Sequence, residues 1–549
     1  MIDRRRFVRL GTIAAGALTS AVATGPWAAA WAADAKPGSA ASGKTLSGAT
    51  VETRSGKVRG IVQGRTQAFL GVPYAGSTAP PNRFLPPTKV TPWTGVREAS
   101  SLGHRSPQLL SAFHGFVPPE VEVMDRDETM GEDCLVLNVW TPGPGAAKRP
   151  VMVWLHGGGY TSGSGGFICY DGAELAGKHN VVVVTVNHRL GVFGYLHLAG
   201  IGGARYANAS NVGNLDIVAA LEWVRDNIAA FGGDPSNVTL FGQSGGGGKV
   251  SCLMAMPAAK GLFHRAIVQS GAALRGSSME AANQTAQEFL KRLDLTTNDL
   301  DKLQTLSMEQ LLATTENAKG RPLDLSPVVD GKSMPAHPFD PTAPAQSADI
   351  PLIIGTTETE VTFFPGQILD PIDDAKLHES VKTLLRKATD AQVDQVIAAY
   401  RAGRPHDSNT DLYLIMASDA TFRAGVLTEA DRKAQQKAPV YQYYFTWRSP
   451  VREGKLRSFH CIEIPFVFDN VEAASSMTGK GADRQPLADQ MSAAWVAFAR
   501  TGNPNHAGLP KWEPFDTQRR ATMVFNKEAR LVEDPHGKEQ RLLRSVLNG

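Results

Sequence analysis

The sequence of 549 residues predicts an α/β fold, with a mostly parallel central sheet and helices on both of its faces. Short runs of β-forming residues alternate with segments of helical periodicity over most of the chain, which is typical of such a sheet. Several of these runs, such as the valines at 181–184, are apolar at every position, as expected for strands covered on both faces. One run ends at a serine flanked by glycines, which indicates a sharp turn from strand to helix.

The β-forming runs fall into two groups along the chain. Three strands separated by turns are predicted first, at 50–54, 57–63 and 67–71. After about Gly131 seven more follow, at 135–140, 151–155, 181–186, 238–241, 265–269, 351–354 and 440–445. Apolar residues at helical spacing predict helices between them at 217–228, 248–256, 284–293 and 489–500.

The strand at 238–241 leads into the sequence Gly242-Gln243-Ser244-Gly245-Gly246. Gly-x-Ser-x-Gly at a strand-to-helix turn is the nucleophile elbow of the α/β-hydrolase fold. Glycines two residues before and after the serine remove the Cβ atoms that would collide across the turn. An ordinary glycine-rich loop would also fit these five residues, so the prediction of Ser244 as a nucleophile depends on partners elsewhere in the chain.

A serine nucleophile needs a base and an acid that orients the base, and in this fold the acid precedes the histidine. His460 is the predicted base, because it follows the strand at 440–445 and precedes the buried apolar segment 463–468. The remaining histidines of the last third lie in charged or Pro/Gly-rich segments and are interpreted as surface residues: His378, His406, His506 and His536.

The acid is expected after the strand at 351–354, at the carboxyl end where α/β sheets place reactive groups. Glu360 is the predicted acid, since the apolar residues that follow it indicate that it points inward. Glu358 is the alternative, and it would otherwise be a solvated loop charge. Asp324 and Asp330 precede the strand and fit this rule less well.

An oxyanion also needs backbone donors. The sequence His156-Gly157-Gly158-Gly159 follows the strand at 151–155 and matches the pattern that supplies them, which predicts the N–H groups of Gly158, Gly159 and Gly245 as donors. The glycines could also form a flexible turn or a phosphate cradle, but a cradle would end in Gly-Lys-Ser/Thr and this segment does not.

Three motifs together resemble the type-B carboxylesterase family, which includes the cholinesterases. They are 132–139 (Glu-Asp-Cys-Leu-Val-Leu-Asn-Val), 231–235 (Phe-Gly-Gly-Asp-Pro) and 241–246 (Phe-Gly-Gln-Ser-Gly-Gly), and the resemblance spans about 51–515. It implies one α/β-hydrolase domain at 48–549, in which loop insertions form an active-site gorge. It also implies an acyl-enzyme mechanism without cofactor or metal, and it assigns the catalytic roles to Ser244, Glu360 and His460.

The resemblance implies further site residues. Ser270 would support the acid, and Arg83 would form an ion pair with Glu132 near the gorge entrance. Apart from the resemblance, the aromatic residues Tyr160, Phe363, Phe364 and the loop at 113–116 are candidate substrate-binding residues that would line the gorge, with a place in the core as the alternative.

The chain also departs from the family pattern beside the nucleophile. Gln243 stands where relatives usually have Glu, and Gly245 stands where they usually have Ala. These changes leave Ser244 flanked by a neutral side chain and extra room. Ser106 replaces the cysteine that pairs with the position of Cys134 in relatives, so Cys134 is expected to be a free thiol. Together these departures predict small neutral esters as substrates and weak preference for cationic ones.

The first 32 residues resemble an export signal. Paired arginines at 4–5, followed by Arg6 and Phe7, precede a short apolar stretch and small-residue cleavage sites at 28–32. This pattern predicts twin-arginine export to the periplasm or medium, with a flexible leader at 33–47; an uncleaved membrane anchor is the alternative, for which the stretch is short.

Composition excludes several other classes of protein. Residues 1–32 carry four arginines and one aspartate, which account for the whole formal charge of +3, so the mature chain is near neutral. A neutral chain does not predict nucleic acid or an anionic membrane surface as a partner. Four scattered cysteines without Cys-x-x-Cys spacing exclude a zinc ribbon.

Serine carboxylic-ester hydrolysis is the predicted function. Hydrolysis of an amide, lactone or β-lactam by the same triad is an alternative. A non-catalytic binding protein is another, although such members of the fold typically lose a triad residue and this chain has all three.

Overall fold

One large sheet forms the centre of the protein. The computed structural model describes residues 47–109, 117–126, 128–316 and 322–548. The predicted export signal, the predicted leader up to residue 46 and the loop at 113–116 lie outside the described residues. The strands are β1 Ser47–Thr53, β2 Gly56–Gln63, β3 Thr66–Pro73, β4 Val96–Glu98, β5 Val136–Thr141, β6 Arg149–Leu155, β7 Val182–Val186, β8 Gly233–Gln243, β9 Arg265–Gln269, β10 Leu352–Thr357, β11 Val440–Phe445, β12 Ala521–Phe525 and β13 Arg530–Glu533.

The strand order is β1-β2-β3-β5-β7-β6-β8-β9-β10-β11-β12-β13, and β4 pairs with β2. Every pairing from β7 through β12 is parallel, the remaining pairs in this order are antiparallel, and the short strand β4 pairs with β2 in parallel. The prediction of a mostly parallel sheet is therefore confirmed. β8 begins at Gly233, well before the predicted start at 238, because Gly233 already pairs with Arg149 of β6.

Helices surround the sheet. They are α1 Pro119–Glu122, α2 Ala173–His179, α3 Gly191–Tyr195, α4 Val212–Asn227, α5 Gly245–Ala255, α6 Met279–Arg292, α7 Met308–Ala313, α8 Asp374–Leu384, α9 Asp390–Gly403, α10 Asn409–Ser418, α11 Ala424–Lys433, α12 Ile464–Val467, α13 Ser475–Thr478, α14 Arg484–Thr501 and α15 Gly537–Asn548. Among the described residues, no helix combines the length and the apolarity that a membrane crossing requires.

Both faces of the sheet are buried. In β7 alternate side chains enter different cores: Val182 and Val184 pack into one apolar cluster, and Val183 packs into the other. This arrangement explains why the strand is apolar at every position, since successive residues of a strand point to opposite faces.

The carboxyl ends of the parallel strands bring the candidate residues to one edge of the sheet. The oxyanion glycines follow β6, Ser244 follows β8 and Ser270 follows β9. The two glutamates considered as the acid follow β10, and His460 lies on the connection that follows β11. A single edge therefore collects side chains that are far apart in the sequence.

Candidate active site

Ser244 lies on a strained turn between β8 and the helix Gly245–Ala255, here called the nucleophile helix. Its backbone angles are φ 56° and ψ −126°, a region that L-residues rarely adopt. A Cβ atom on Gly242 would lie 2.6 Å from the carbonyl carbon of Gly246, and one on Gly246 would lie 1.9 Å from the carbonyl oxygen of Leu155. The two glycines therefore permit the turn, and the backbone N–H of Ser244 fixes it by donating to the Gln269 carbonyl over 2.8 Å.

His460 and Glu360 form a hydrogen-bonded pair in the protein interior. The Nδ1 atom of His460 lies 2.5 Å from Oε2 of Glu360, and both side chains are almost completely buried. The other carboxylate oxygen of Glu360 accepts hydrogen bonds from the Ser270 hydroxyl at 2.6 Å and from the Thr357 N–H at 2.8 Å. With Nδ1 engaged by the carboxylate, Nε2 of His460 is the ring nitrogen left to accept a proton, and it lies 3.2 Å from Nε2 of Gln243.

Glu358, the alternative acid, points elsewhere. Its carboxylate pairs with Arg448, at 3.0 and 3.1 Å, and lines a separate cavity of about 780 Å³ together with Tyr444 and His536. Burial raises the pKa of Glu358, and Arg448 opposes that rise. The structure thus brings Glu360, and not Glu358, to the histidine.

Three phenylalanine rings surround the His460 imidazole. The ring centroids of Phe363, Phe364 and Phe422 lie 5.4, 5.6 and 4.8 Å from that of His460. Phe363 and Phe364 are predicted substrate-binding residues, and in the structure they flank the base. Phe422 is not predicted from the sequence; it lies on a π-helical turn, Asp419–Arg423, a geometry that is frequent at functional sites.

Gln243 contacts the other side of the base. Its Nε2 lies 3.2 Å from Nε2 of His460, and its Oε1 accepts a hydrogen bond from the Cys461 thiol at 3.3 Å. Burial raises the pKa of Cys461 well above that of an ordinary thiol, so the thiol stays protonated and remains a donor. Cys461 is a site residue that the sequence analysis does not identify, since only the fold places it beside Gln243.

The segment 156–160, here called the oxyanion loop, lies against the start of the nucleophile helix. Gly158 and Gly159 have φ values of 87° and 61°, and no described residue accepts a hydrogen bond from either backbone N–H. Gly245 is the first residue of the helix, so its N–H has no intrahelical partner. The structure therefore places all three predicted oxyanion donors close to Ser244.

The space beside Gly245 differs from the expectation. Gly245 was predicted to leave extra room near the nucleophile, but a Cβ atom there would lie 2.1 Å from the carbonyl oxygen of Gly159. The prediction of extra room is therefore wrong, because the oxyanion loop occupies it.

The remaining predicted residues lie around this centre. Tyr160 is half-buried on the oxyanion loop, where its ring contacts Tyr195 edge-on at 5.0 Å. Arg83 and Glu132 form a buried ion pair, with Nε and Oε2 at 2.7 Å, as predicted. Cys134 is a buried free thiol, also as predicted.

The other histidines of the last third take no part in the site. His406 is exposed. His378, His506 and His536 are half-buried, and they bond Asp394, the Gln490 carbonyl and Glu539.

Together these groups can carry out acyl transfer. A hydroxyl on a strained turn, a buried imidazole oriented by a carboxylate and a set of unused backbone donors are the parts that this chemistry requires. Among the described residues, no group of three or more His, Cys, Asp or Glu side chains is placed to hold a metal ion.

Comparison with known proteins identifies relatives over most of the chain. Residues 47–542 match the model of the carboxylesterase family. The chain is 35% identical over 504 residues to para-nitrobenzyl esterase of Bacillus subtilis, covering 90% of this chain and 98% of that protein. It is 34% identical to liver carboxylesterase 1 of Oryctolagus cuniculus, covering 85% and 88%. The structure also resembles that of an esterase from Clostridium hathewayi, which is described as able to hydrolyse aliphatic aromatic polyesters. The TM-score is 0.79 and the identity 35%, and the match covers 91% of this chain and 98% of that esterase.

Proposed function

The chain belongs to the carboxylesterase family and is a serine carboxylic-ester hydrolase, and we propose that Ser244, His460 and Glu360 carry out its reaction on small neutral esters. The observation that carries this proposal is the buried bond between His460 and Glu360 at the same sheet edge as the strained Ser244. That bond holds the imidazole in the tautomer whose Nε2 can accept a proton.

Acylation begins when the Ser244 hydroxyl attacks the ester carbonyl carbon. As the new C–O bond forms, the hydroxyl proton passes to Nε2 of His460 and the carbonyl oxygen becomes an oxyanion. The N–H groups of Gly158, Gly159 and Gly245 stabilise that oxyanion. The C–O bond to the alcohol then breaks, and the His460 imidazolium protonates the departing alkoxide.

Deacylation repeats these steps with water. His460 removes a proton from the water that attacks the acyl-enzyme, and a second oxyanion forms. Its collapse breaks the bond to the Ser244 oxygen, which takes the proton back from the His460 imidazolium, and the carboxylic acid leaves. In the structure the amide nitrogen of Gln243 lies 3.2 Å from Nε2 of His460 and can donate to its lone pair. This hydrogen bond has to break before Nε2 accepts a proton from Ser244 or from water.

The substrate class follows from the charge around Ser244. Gln243 is completely buried and neutral, so it places no carboxylate beside the scissile bond. Phenylalanine rings form the wall around His460, and apolar walls favour uncharged groups. The names of two relatives, para-nitrobenzyl esterase and an esterase acting on aliphatic aromatic polyesters, support aryl or benzyl esters as test substrates.

The test is a hydrolysis screen of the purified enzyme. It compares p-nitrophenyl esters of rising acyl length with a p-nitrobenzyl ester, a lactone, a β-lactam and an anilide. We expect neutral esters to be hydrolysed fastest and the folded Ser244→Ala variant to lose the activity. Faster hydrolysis of the lactone, β-lactam or anilide would contradict the ester proposal, and full activity in the variant would contradict the proposed nucleophile.

We also propose that the protein is exported by the twin-arginine route to the periplasm or medium. The support is the sequence of residues 1–32, with paired arginines, a short apolar stretch and small residues before position 33. The test is fractionation of cells expressing the full chain or the Arg4→Lys/Arg5→Lys variant. Esterase activity should leave the cytoplasm only with the paired arginines, and equal distribution of the two proteins would refute the route.

A further inference from the structure

Lys249 is a buried lysine on the nucleophile helix, one turn after Gly245. Its side chain is completely buried, and its Nζ donates to the carbonyl oxygen of Gly159 at 2.8 Å and to that of His156 at 3.3 Å. The ammonium also lies 5.6 Å from the centroid of the Tyr160 ring. All three contacts are with the oxyanion loop.

This lysine has no carboxylate partner among the described residues. Burial lowers its pKa to about 7, and the Cys252 thiol acts in the other direction. Burial, followed by the charge on Lys249, lowers the pKa of His156 to about 3, so that histidine is neutral. Burying an amino group without a carboxylate partner costs stability, so the stability of the fold alone does not explain a lysine at this position.

The oxyanion loop is rich in glycine, so few of its own side chains hold its backbone in place. Gly158 and Gly159 have positive φ and no side chains to hold them, and the N–H groups of this segment are the proposed oxyanion donors. The Lys249 bonds to the carbonyls of His156 and Gly159 grip the segment on both sides of those donors. Between these two points, the Gly157 carbonyl lies 2.8 Å from Nδ1 of His156 and the Gly158 carbonyl accepts from the Ser162 N–H at 3.0 Å, so the Lys249 bonds fix the outer ends of the segment that carries the donors.

Gly245 leaves the space that allows the oxyanion loop to approach Lys249. The two residues are four apart on one helix and therefore lie on the same face. A Cβ atom at position 245 would lie 2.1 Å from the Gly159 oxygen that Lys249 binds. The loop can thus reach Lys249 only because residue 245 is glycine.

We propose that Lys249 is a positioning residue that clamps the oxyanion loop onto the nucleophile helix, and that Gly245 makes this clamp possible. The proposal rests on the oxyanion role assigned above to Gly158 and Gly159. Because the clamp orients donors that act on the oxyanion, it stabilises the transition state more than the bound ester.

The test compares Lys249→Met with Lys433→Met. Lys433 is also completely buried, and its Nζ bonds backbone carbonyls of Ser347 and Ala348, away from the site. A displacement of about 1 Å at a catalytic group can lower a rate about 100-fold. We expect Lys249→Met to lower kcat roughly 10- to 100-fold with KM changed less than about threefold, and Lys433→Met to change neither by more than about threefold.

A transition-state analogue separates positioning from a merely structural role. An aryl trifluoromethyl ketone forms a hemiketal when the Ser244 oxygen adds to its carbonyl carbon, the hydroxyl proton passes to His460 and the ketone oxygen becomes an oxyanion. In Lys249→Met its inhibition constant should rise by the same factor by which kcat/KM falls. Burst amplitude reports the fraction of folded, active enzyme in each preparation.

Gly245→Ala should displace the same Gly159 carbonyl by a direct steric contact. This variant provides the test if Lys249→Met does not fold. We expect Gly245→Ala to show the same loss of kcat and of analogue affinity. In the double variant the loss should be close to the larger single loss, because both changes act through Gly159.

The outcomes are distinguishable. Independent, multiplicative losses in the two variants would overturn the proposal, as would an unchanged kcat in a folded Lys249→Met. If the wild-type enzyme neither hydrolyses esters nor binds the ketone, the proposed function fails instead.

Discussion

Ser270 donates its hydroxyl proton to Oε1 of Glu360 over 2.6 Å, and this bond leaves Oε2 facing His460. Ser270 has a positive φ of 50°, and its own N–H donates to the Gly355 carbonyl at 2.8 Å. The carboxylate that orients the base is therefore itself oriented by a strained residue at the end of the neighbouring strand.

The first prediction concerns this supporting bond. Ser270→Ala should lower kcat/KM by about tenfold or more, since a hydrogen bond to a charged group contributes about 1.5–3 kcal/mol. The measurement is steady-state hydrolysis of a p-nitrophenyl ester. Ser251→Ala is the control, because the Ser251 hydroxyl also bonds a buried carboxyl group, that of Glu429, which forms no hydrogen bond or ion pair with His460 among the described residues. Equal losses in the two variants would mean that Ser270 has no particular role in orienting the acid.

The second prediction separates the two glutamates after β10. Glu360→Gln keeps the shape of the side chain but removes the charge that orients His460, so kcat should fall about 10⁴-fold. Glu358→Gln removes a charge that pairs with Arg448, and kcat should stay within a few-fold of wild type. Kinetics of both variants under one set of conditions check the assignment. A larger loss in Glu358→Gln would reverse it.

The parts of the site that could be predicted from sequence are those encoded locally. Ser244 and the oxyanion glycines follow strands within short glycine-rich motifs, and Glu360 and His460 were identified from strand ends and buried neighbours. Phe422 carries no such signal, because only the packing of a π-helical turn brings its ring to His460. The same is true of the bond between Lys249 and the oxyanion loop.

The secondary structure also divides into elements that the sequence predicts and elements that it does not. The strongly apolar strands are predicted to within a few residues, apart from the early start of β8. The helices at 374–433 are not predicted, although three of them begin with local signals: Asp373 caps the first, Thr389 with Gln392 forms a capping box at the second, and Ser408 caps the third. β12 and β13 are short, and β13 lies at the exposed edge of the sheet, so neither gives a clear pattern.

The third prediction concerns the charge beside the nucleophile. The wild-type enzyme should hydrolyse a choline ester no faster than the matching ester of 3,3-dimethylbutanol, its neutral isostere. Gln243→Glu should raise the ratio of the two rates about tenfold, because a buried carboxylate attracts the cationic alcohol.

Gln243→Met is the control for that experiment, since it removes the amide without adding charge. A strong choline preference in the wild type would contradict the prediction, and so would a Met variant that behaves like the Glu variant.

The fourth prediction concerns the pH dependence of stability. Glu429 is completely buried on α11, where burial raises its pKa to about 8, and the Ser251 hydroxyl opposes that rise. Between about pH 4.5 and 8 the folded protein keeps this proton while the unfolded chain has lost it. The free energy of unfolding therefore falls as the pH rises through this range, by up to about 1.4 kcal/mol per pH unit.

Glu429→Gln should remove this dependence. The measurement is urea unfolding of both proteins at pH 5, 6 and 7 and constant ionic strength, and the quantity is the difference between their unfolding free energies. Lys249 and Lys433, whose pKa values burial lowers to about 7 and 8, are present in both proteins, so their contributions cancel in this difference. Glu463, whose pKa burial also raises to about 8, is present in both proteins and cancels. The variant should gain stability relative to the wild type as the pH rises, whereas a constant difference would mean that Glu429 is ionised in the folded protein.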